Sequence, residues 1–440
     1  MPIETQDAPP VPPVAAWGSV GILMLLSLVS FIDRQIISLL VDPMKADLGL
    51  SDTQISLLQG LAFVIFYSVA AIPIGWAVDR YPRRIICYIG VTFWSLSAAA
   101  CGLANNFWQI FAARLGVGAG EACLNPASVS LISDLFPRRQ MGTAMGVYAM
   151  AISLGAGAAL IIGGFVVSLF AGQSQVMVPL IGAVAPWQAV FLITGLPGVL
   201  IAFLAFLLTD PRPKALAAKQ AEGGDHLRRY VASHGKVVAL AYAGFGFSAF
   251  AFYAVGSWTP AFLSRTFGMT AGEIGYAWGG VVALSGAGGC LLGGLVIDRF
   301  VRAGVDDAAL LVPAGAALLS WPLLVGSYLM PSPTLVLAGL ALGTLMVGIV
   351  SAGSLTTWQR VAPAEVRGRI AAAFGLVSTG LGASLGPLSV AIVTDQVFAD
   401  DARIGWSLAI VLAVSQPLLA LSLVGSRTFL KRVEASRPST

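Results

Sequence analysis

The chain has 440 residues, of which 57% are hydrophobic and only 10% charged, whereas soluble globular domains carry about 25% charged residues. A globular protein in water needs a polar surface, so this composition excludes a soluble domain and predicts that lipid is the solvent. The length allows about a dozen membrane helices of roughly 20 residues each, and the net charge is a small +4.

Twelve apolar runs follow one another along the chain and predict twelve membrane helices. They begin near Trp17, Thr53, Ile85, Trp108, Met141, Val178, Val237, Glu273, Ala308, Thr334, Ile370 and Ile404. Residues 1–16 lack the basic region and cleavage site of a signal peptide, and they predict a polar tail that the mature protein keeps.

The longest polar stretch divides the apolar runs into two sets of six. It covers residues 209–236 and carries six basic residues, which is typical of a cytoplasmic linker. The sequence therefore predicts one six-helix bundle over residues 17–208 and a second over 237–430. Residues 431–440 form the predicted C-terminal tail.

Basic residues predict the orientation of these helices. Twenty of the 25 lysines and arginines fall in the termini, the linker and the loops on the same side as the termini, whereas only Lys45, Arg265 and Arg403 lie on the other side. Since cytoplasmic loops carry the excess of positive charge, both termini are predicted to be cytoplasmic. We expect a multi-pass protein of the plasma membrane, which in bacteria is the inner membrane.

An internal repeat supports the division into halves. Seven residues recur 219 positions later: Gly49, Ser51, Ile55, Gly60, Gly75, Asp79 and Arg80 match Gly268, Thr270, Ile274, Gly279, Gly294, Asp298 and Arg299. One offset shared by seven positions indicates two parallel structural repeats, an arrangement that places a substrate between the halves near the membrane midplane.

Two motifs resemble signatures of the major facilitator superfamily. The segment from Gly75 to Arg84 resembles its Gly-x-x-x-Asp-Arg-x-x-Arg-Arg loop between helices two and three, and Gly294 to Arg299 partly repeats it. Arg114 with Gly118 and Gly120 resembles a second signature, in helix four. The resemblance covers the whole chain and implies an all-α membrane protein of twelve helices, in two pseudo-symmetric bundles around a central cavity, that works as a monomer.

Two shorter segments are similar to the spinster branch of that superfamily. They are Phe31–Gln35 in helix one and Gly118–Ala122 in helix four. The branch implies proton-linked movement of lysophospholipids and sphingosine-type lipids. The same elements resemble organic anion symporters, so a proton symporter of small organic anions remains an alternative, as does multidrug efflux.

Four ionisable residues fall inside predicted membrane helices, where each is a functional candidate because charge is costly to insert. They are Asp33, Arg34, Arg114 and Glu121. The helical rise puts Asp33 roughly 24 Å along helix one and Arg114 roughly 9 Å along helix four, from opposite sides of the membrane and hence at similar depth. Glu121 lies seven positions after Arg114 on the same helical face.

We hypothesise that Arg114 alternates between Asp33 and Glu121, or between them and a substrate phosphate. Asp33 and Glu121 are the candidate proton carriers, and Arg34 and Arg114 form the candidate charge network for a headgroup, because arginine binds phosphate through a bidentate fork. The alternative is that these charges only hold helix one against helix four.

Helix seven is aromatic where helix one is charged. The repeat places Phe252 and Tyr253 opposite Asp33 and Arg34, and Trp258 follows on the same helix. These aromatic residues predict an apolar wall that would face the charged wall, which suits an amphiphile. Packing in the core or contact with lipid is an equally open alternative.

The repeated loop motif predicts a cytoplasmic gate that pairs with neighbouring helix ends. Its candidate residues are Asp79, Arg80, Arg83, Arg84, Asp298 and Arg299. The alternative is that these residues serve only as a positive-inside anchor.

The sequence does not favour an enzyme, a metal site or a bound cofactor. The four cysteines lie in or beside apolar runs without Cys-x-x-Cys spacing, and both histidines lie in the polar linker. The expected partners are protons, membrane lipid and a lipid-like or small anionic substrate, and not nucleic acid.

Overall fold

A computed structural model describes residues 12–136, 138–211, 224–361 and 364–435. The first half contains α1 (Pro13–Leu39), α2 (Val41–Leu48), α3 (Asp52–Ser56), α4 (Ala62–Arg80), α5 (Arg83–Cys101), α6 (Phe107–Glu121), α7 (Leu124–Leu135), α8 (Arg138–Ser168), strands β1 (Val176–Val178) and β2 (Gly182–Val184), and α9 (Pro186–Ile201). The second half contains α10 (Gly224–Phe267), α11 (Ala271–Arg302), α12 (Ala308–Ser327), α13 (Pro333–Val361), α14 (Ala364–Ile392) and α15 (Ile404–Ala435).

Four short non-α segments adjoin these helices. A π-helical turn, Leu57–Leu61, joins α3 to α4, and a second, Val393–Phe398, follows α14. The 3₁₀ turns Ala202–Leu207 and Asp401–Arg403 follow α9 and precede α15. Ten of the described helical segments are long and apolar enough to cross a membrane. The pair α6–α7 and α8 supply the other two, so the predicted all-α fold of twelve spans is confirmed.

The repeat found in the sequence recurs in the backbone geometry. Gly49 and Gly268 both have a φ of +65°, a left-handed conformation that glycine adopts without steric cost. Two residues later, Ser51 and Thr270 each cap the next helix by accepting a hydrogen bond from the backbone of the third helical residue. The same turn therefore begins the second span of each half.

The two halves are packed together at the end of the bundle away from the termini, which we call the distal end; the other is the terminal end. Glycines allow the contact, because a Cβ on Gly164 would lie 2.6 Å from the Ala271 carbonyl oxygen and one on Gly157 would lie 2.5 Å from that of Gly279. A single buried apolar cluster there contains residues of both halves, among them Ile36 and Trp258. Towards the terminal end the apolar clusters belong almost entirely to one half or the other.

The predicted linker and α10 overlap. Residues 212–223 lie outside the described residues, but α10 begins at Gly224, so the last part of the predicted linker is helical. At the terminal end, the Ser19 hydroxyl accepts a hydrogen bond from the Thr209 backbone N–H, and the Ser426 hydroxyl donates to the Val237 carbonyl. These contacts tie the two ends of the linker to the first and last spans.

The loop before α12 carries an ion pair that makes stability depend on pH. Burial raises the pKa of the Asp307 carboxyl, but hydrogen bonds from Arg427 at 2.6 Å and charge from Lys431 at 3.3 Å outweigh it, so the pKa lies below its usual value. The ion pair is therefore fully formed above the unfolded-state pKa of about 3.9 and is lost as the pH falls below it.

Asp307→Asn should consequently lower the free energy of unfolding at pH 7 by about 1 kcal/mol, since both cations are partly exposed. Thermal unfolding in detergent at pH 7 and at pH 4 measures the effect, with the adjacent exposed Asp306→Asn as control. A deficit for Asp307→Asn that grows on acidification would contradict the assignment.

Candidate functional site

A cavity of about 300 Å³ lies between the two halves. From the first half, its lining includes Ser30, Phe31 and Arg34 of α1 and Glu121 at the end of α6. From the second half it is lined mainly by apolar and aromatic side chains, namely Ala251, Phe252, Tyr253, Val255, Trp278, Val282, Leu324 and Val347. One wall is therefore charged, and the facing wall is largely apolar.

An ion pair between Arg34 and Glu121 forms the charged wall. Arg34 Nε donates to Glu121 Oε2 at 2.5 Å, Arg34 Nη2 contacts the same oxygen, and the Ser30 hydroxyl also donates to it at 2.7 Å. The Glu121 side chain is fully buried, whereas that of Arg34 is 23% exposed. Part of the Arg34 donor fork therefore remains accessible from the cavity.

Aromatic rings surround the Arg34 guanidinium. Its central carbon lies 4.5 Å from the ring centroid of Phe63, 5.6 Å from that of Phe31 and 5.7 Å from that of Tyr67. Cation–π contacts of this kind gain strength where water is excluded. The rings thus stabilise a cation inside an otherwise apolar region.

The helix that carries Glu121 is interrupted at this residue. α6 ends at Glu121 and α7 begins at Leu124, and Pro126 removes the backbone donor that would have bonded the carbonyl of Ala122. Gly118 and Gly120 let α6 approach α4 and α5 closely, since a Cβ on Gly120 would lie 2.8 Å from the Gly90 carbonyl oxygen. Interrupted helices at midplane sites are a feature of secondary transporters.

Arg114 is fully buried and lies outside the cavity lining. Its Nη1 donates to the backbone carbonyl of Asp33 at 3.0 Å, and its Nε donates to that of Leu58, in the π-helical turn, at 3.2 Å. Arg114 and Glu121 do face α1 from one side of α6, as their spacing predicts. However, Arg114 contacts backbone oxygens here, and the carboxylate of Glu121 is paired with Arg34 instead.

Asp33 is also buried and lies outside the cavity lining. Neither carboxylate oxygen accepts a hydrogen bond of normal geometry within the described part of the chain, although the Trp94 indole interacts with the group. The difference from Arg34 is geometric, because consecutive helical residues point about 100° apart. In this packing Arg34 faces the cavity and Asp33 does not.

The three aromatic residues predicted on helix seven separate into two groups. Phe252 and Tyr253 line the cavity, and Tyr253 lies close enough to Arg34 and Glu121 to interact with both. Trp258 is placed away from the cavity: it is fully buried, and its indole N–H donates to the Pro387 carbonyl at 2.9 Å. Trp258 therefore packs α10 against α14.

A cluster of charges joins the halves at the distal end, and sequence reasoning did not find it. We call Asp42, Lys45, Asp52, Arg265 and Asp401 the distal ion cluster. Asp52 is fully buried and accepts from Lys45 at 2.7 Å and from both Arg265 Nη atoms at 2.7 and 2.8 Å. Arg265 also donates to Asp42, and Lys45 to Asp401. All inter-half ion pairs among the described residues lie at this end.

The predicted gate residues lie at the terminal end. Arg83 is buried, pairs with Asp134 and lies 3.8 Å from Asp210, whose carboxylate accepts from the Arg83 backbone N–H. Arg80 stacks over Trp76 at 4.2 Å. Arg84, Asp298 and Arg299 are exposed, and the side chain of Asp79 lies outside the described residues. These contacts of Arg83 are made to the first half and to the start of the predicted linker.

Several cavity residues other than the predicted ones share a detectable pattern. Ser27, Ser30, Phe31 and Arg34 follow one face of α1 at helical spacing, so Arg34 alone could have identified them. Tyr67 and Tyr148 come from α4 and α8, and nothing in the sequence relates these positions to Arg34. The distal ion cluster had only one sequence signal, which is that Lys45 and Arg265 are rare cations on their side of the membrane.

Comparison with known proteins finds one family over most of the chain. The model of the Major Facilitator Superfamily matches residues 23–387. The chain is 29% identical over 430 residues to an MFS-type efflux pump of Mycolicibacterium smegmatis, covering 96% of this chain and 94% of that protein. It is 27% identical to a probable L-galactonate transporter of Escherichia coli, covering 64% of this chain and 62% of that protein.

Spinster proteins are also similar to the chain. Protein spinster of Drosophila melanogaster is 27% identical over 323 residues, covering 71% of this chain and 51% of that protein. Among solved structures, an inward-facing, unoccupied bacterial homologue of the human lysosomal transporter Spinster superposes with a TM-score of 0.76 at 23% identity. That match covers 98% of this chain and all of the other, which confirms the predicted fold.

Proposed function

The chain belongs to the Major Facilitator Superfamily, and we propose that it moves anionic amphiphiles of the lysophospholipid or sphingosine type across the membrane, coupled to protons, by alternating access. The family carries small molecules across membranes and does not consist of enzymes. The chain is a multi-pass membrane protein, and its similarity to spinster proteins supports the lipid-like substrate class.

The observation that carries this proposal is the two-walled cavity. Arg34 offers accessible N–H donors for an anionic headgroup on one wall, and the facing wall offers Phe252, Trp278 and Val282 for an apolar chain. A phosphate or carboxylate would compete with Glu121 for the same guanidinium. Binding of the headgroup would then release Glu121 from its ion pair with Arg34. Substrate binding would in this way be coupled to the charge of the cavity.

Proton coupling is assigned to Glu121 and Asp33. Burying a carboxylate that has lost its cationic partner costs several kcal/mol. The free energy of the site therefore falls when the carboxylate takes up a proton in place of that partner. Glu121 would gain this proton when Arg34 turns to substrate. Asp33, buried without a hydrogen-bond donor of normal geometry in the described chain, would hold its proton through interactions that change as α1 moves.

The proposed orientation of the protein in the membrane is based on the distribution of its basic residues. With both termini in the cytoplasm and the protein in the plasma membrane of its cell, the distal end faces outward. The halves are packed together there, which corresponds to an inward-facing arrangement. A single chain contains both halves and the whole cavity, so we propose a monomer as the functional unit.

A second candidate is a proton symporter of small organic anions. The cavity volume of about 300 Å³ suits a compact anion, and Gln35, Asn125 and Thr344 line it with groups that could bind hydroxyls. The similar protein in Escherichia coli is a probable L-galactonate transporter. Efflux of drug-like cations is a third candidate, supported by the similar efflux pump and by the acid within an aromatic cavity.

Transport by the purified protein in liposomes distinguishes these functions. We expect saturable uptake of an anionic lysophospholipid that increases with an imposed pH gradient and is not displaced by galactonate. Uptake of galactonate without any response to lysophospholipid would support the organic anion symporter, and uptake of cationic drugs alone would support efflux. Either result would overturn the amphiphile assignment.

The proton assignment is tested in the same liposomes with Asp33→Asn and Glu121→Gln. Each should still bind lysophospholipid at a fixed pH but should lose most of the stimulation by a pH gradient, because the amide cannot release a proton. The exposed Asp306→Asn serves as control. A wild-type response to the gradient in both variants would contradict the assignment.

A further inference from the structure

A β-hairpin projects from the connection between α8 and α9 at the distal end. Strands β1 and β2 pair antiparallel, with Val176 opposite Val184 and Val178 opposite Gly182. A three-residue turn, residues 179–181, closes the hairpin. Leu180 at its tip has a φ of +70°, and Gly182 has a φ of +101°. The base is fixed, since the indole of Trp187 donates to Asp47 at 2.8 Å and the amide of Gln188 donates to the Ala104 carbonyl.

The side chains of this hairpin do not suit contact with water. Residues 169–188 contain no charged residue. Met177 is 76% exposed, Leu180 is completely exposed, and Ile181 is 44% exposed. A non-glycine residue with positive φ at the tip indicates that the turn projects Leu180 despite a conformational cost. Large apolar side chains exposed together in this way mark an interaction surface.

The hairpin is connected at both ends to membrane spans that also expose large apolar side chains. Phe165, near the end of α8, and Ile193, in the second turn of α9, are 50% and 46% exposed and belong to membrane spans. Leu169, at the start of the connection, is exposed as well. Exposed apolar side chains therefore lie on both flanking spans and on the hairpin, and the exposed residues 171–175 between α8 and β1 are small or polar but uncharged.

We propose that the tip of this hairpin, residues 177–181, inserts into the headgroup region of the lipid leaflet at the distal end. The cross-strand hydrogen bonds satisfy part of the hairpin's backbone internally, as an apolar surrounding requires. Apolar side chains of interfacial elements enter to a depth of about 5–10 Å, which a hairpin of three residue pairs can reach at about 3.3 Å per residue. The bilayer is thus a partner of this loop as well as of the helices.

Fluorescence quenching in liposomes tests the proposal with the full chain. An environment-sensitive fluorophore is attached to Leu180→Cys in a Cys290→Ser background, because the other three cysteines are buried. We expect loss of emission when the vesicles contain lipid brominated near the headgroup, and protection from aqueous iodide supplied on both sides. The matched control is Gln173→Cys, an exposed polar position of the same loop, where we expect the reverse pattern.

A second variant separates anchoring from local packing. With the fluorophore at Met177→Cys, the added substitution Leu180→Asp should remove most of the quenching by brominated lipid and increase quenching by iodide, while lysophospholipid uptake continues. Iodide quenching at position 180 equal to that at 173, or lipid quenching at 177 that is unchanged by Leu180→Asp, would overturn the proposal. The first result would indicate a tip that lies in water and is available to a protein partner.

Discussion

Replacing Arg34 by glutamine should weaken binding of the anionic substrate by at least an order of magnitude. Arg34 is the cation that both lines the cavity and keeps an accessible part of its donor fork. A hydrogen bond to a charged group contributes about 1.5–3 kcal/mol, so we expect the Kd of an anionic lysophospholipid to rise by roughly 10- to 100-fold or more. Calorimetry or a fluorescence titration in detergent measures this, with the exposed Arg302→Gln as control.

Loss of Arg34 also leaves the buried Glu121 with Ser30 as its remaining hydrogen-bond donor among the described residues, and this effect must be separated from loss of a ligand. Breaking a buried pair by removing one partner costs about 3–5 kcal/mol, so Arg34→Gln should lower thermal stability in detergent as well. The double variant Arg34→Gln, Glu121→Gln removes the uncompensated charge and should recover stability. If Arg34 contacts substrate, binding remains weak in the double variant; binding recovered to the wild-type Kd would show that Arg34 acts only as the partner of Glu121.

Arg34→Lys adds a test of geometry. Lysine keeps the charge but lacks the planar fork that binds two oxygens at once and stacks on Phe63. We expect binding weaker than in the wild type but stronger than in Arg34→Gln for a phosphate headgroup. Equal binding by lysine and arginine would mean that the site recognises charge alone.

The architecture could be predicted from the sequence because its causes are local or repetitive. The apolar runs follow from the thickness of the bilayer, and the second span of each half begins with a left-handed glycine and a capping residue that the repeat reveals. The arginine and glutamate of the cavity could be selected as well, because charged side chains are costly inside a membrane helix and mark functional positions there.

The pairing of the intramembrane charges could not be predicted, since it depends on rotation of the helices. Asp33 and Arg34 are neighbours in sequence, and which of them faces the cavity is decided by packing of α1 against α8 and α10. Trp258 shares α10 with Phe252 and Tyr253 but follows them by a turn and a half, which rotates it towards α14. A pattern of residue types on one helix does not fix that rotation.

The distal ion cluster was missed for a different reason. Its acids come from the start of α2, the start of α3 and the 3₁₀ turn before α15, and acids at the ends of helices are usually solvated. Only the fold brings them to Arg265, and only the fold buries Asp52. The ion pair of the cavity, Arg34 with Glu121, lies within one half. The distal ion cluster connects the two halves, so its contacts are lost when the halves separate.

Asp52→Asn should shift the protein from the arrangement closed at the distal end towards one open there. Asp52 accepts from Lys45 in its own half and from Arg265 across the interface, so the amide leaves two largely buried cations without their shared anion. A loss of about 3 kcal/mol is expected for such a buried pair, and it changes the ratio of the two states by roughly 100-fold. This loss applies only to the closed state, because Lys45 and Arg265 are hydrated once the halves separate.

Distances between spin labels measure the shift. Labels at Asn105→Cys and Met330→Cys lie on exposed distal positions of the two halves, and pulsed electron resonance in liposomes should show a longer distance becoming dominant in Asp52→Asn. The control is Asp400→Asn, because Asp400 pairs with Arg403 on the surface of one half. If Asp52→Asn keeps the wild-type distances, the apolar cluster around Ile36 and Trp258 holds the distal end closed. The distal ion cluster would then contribute little to the stability of the closed state.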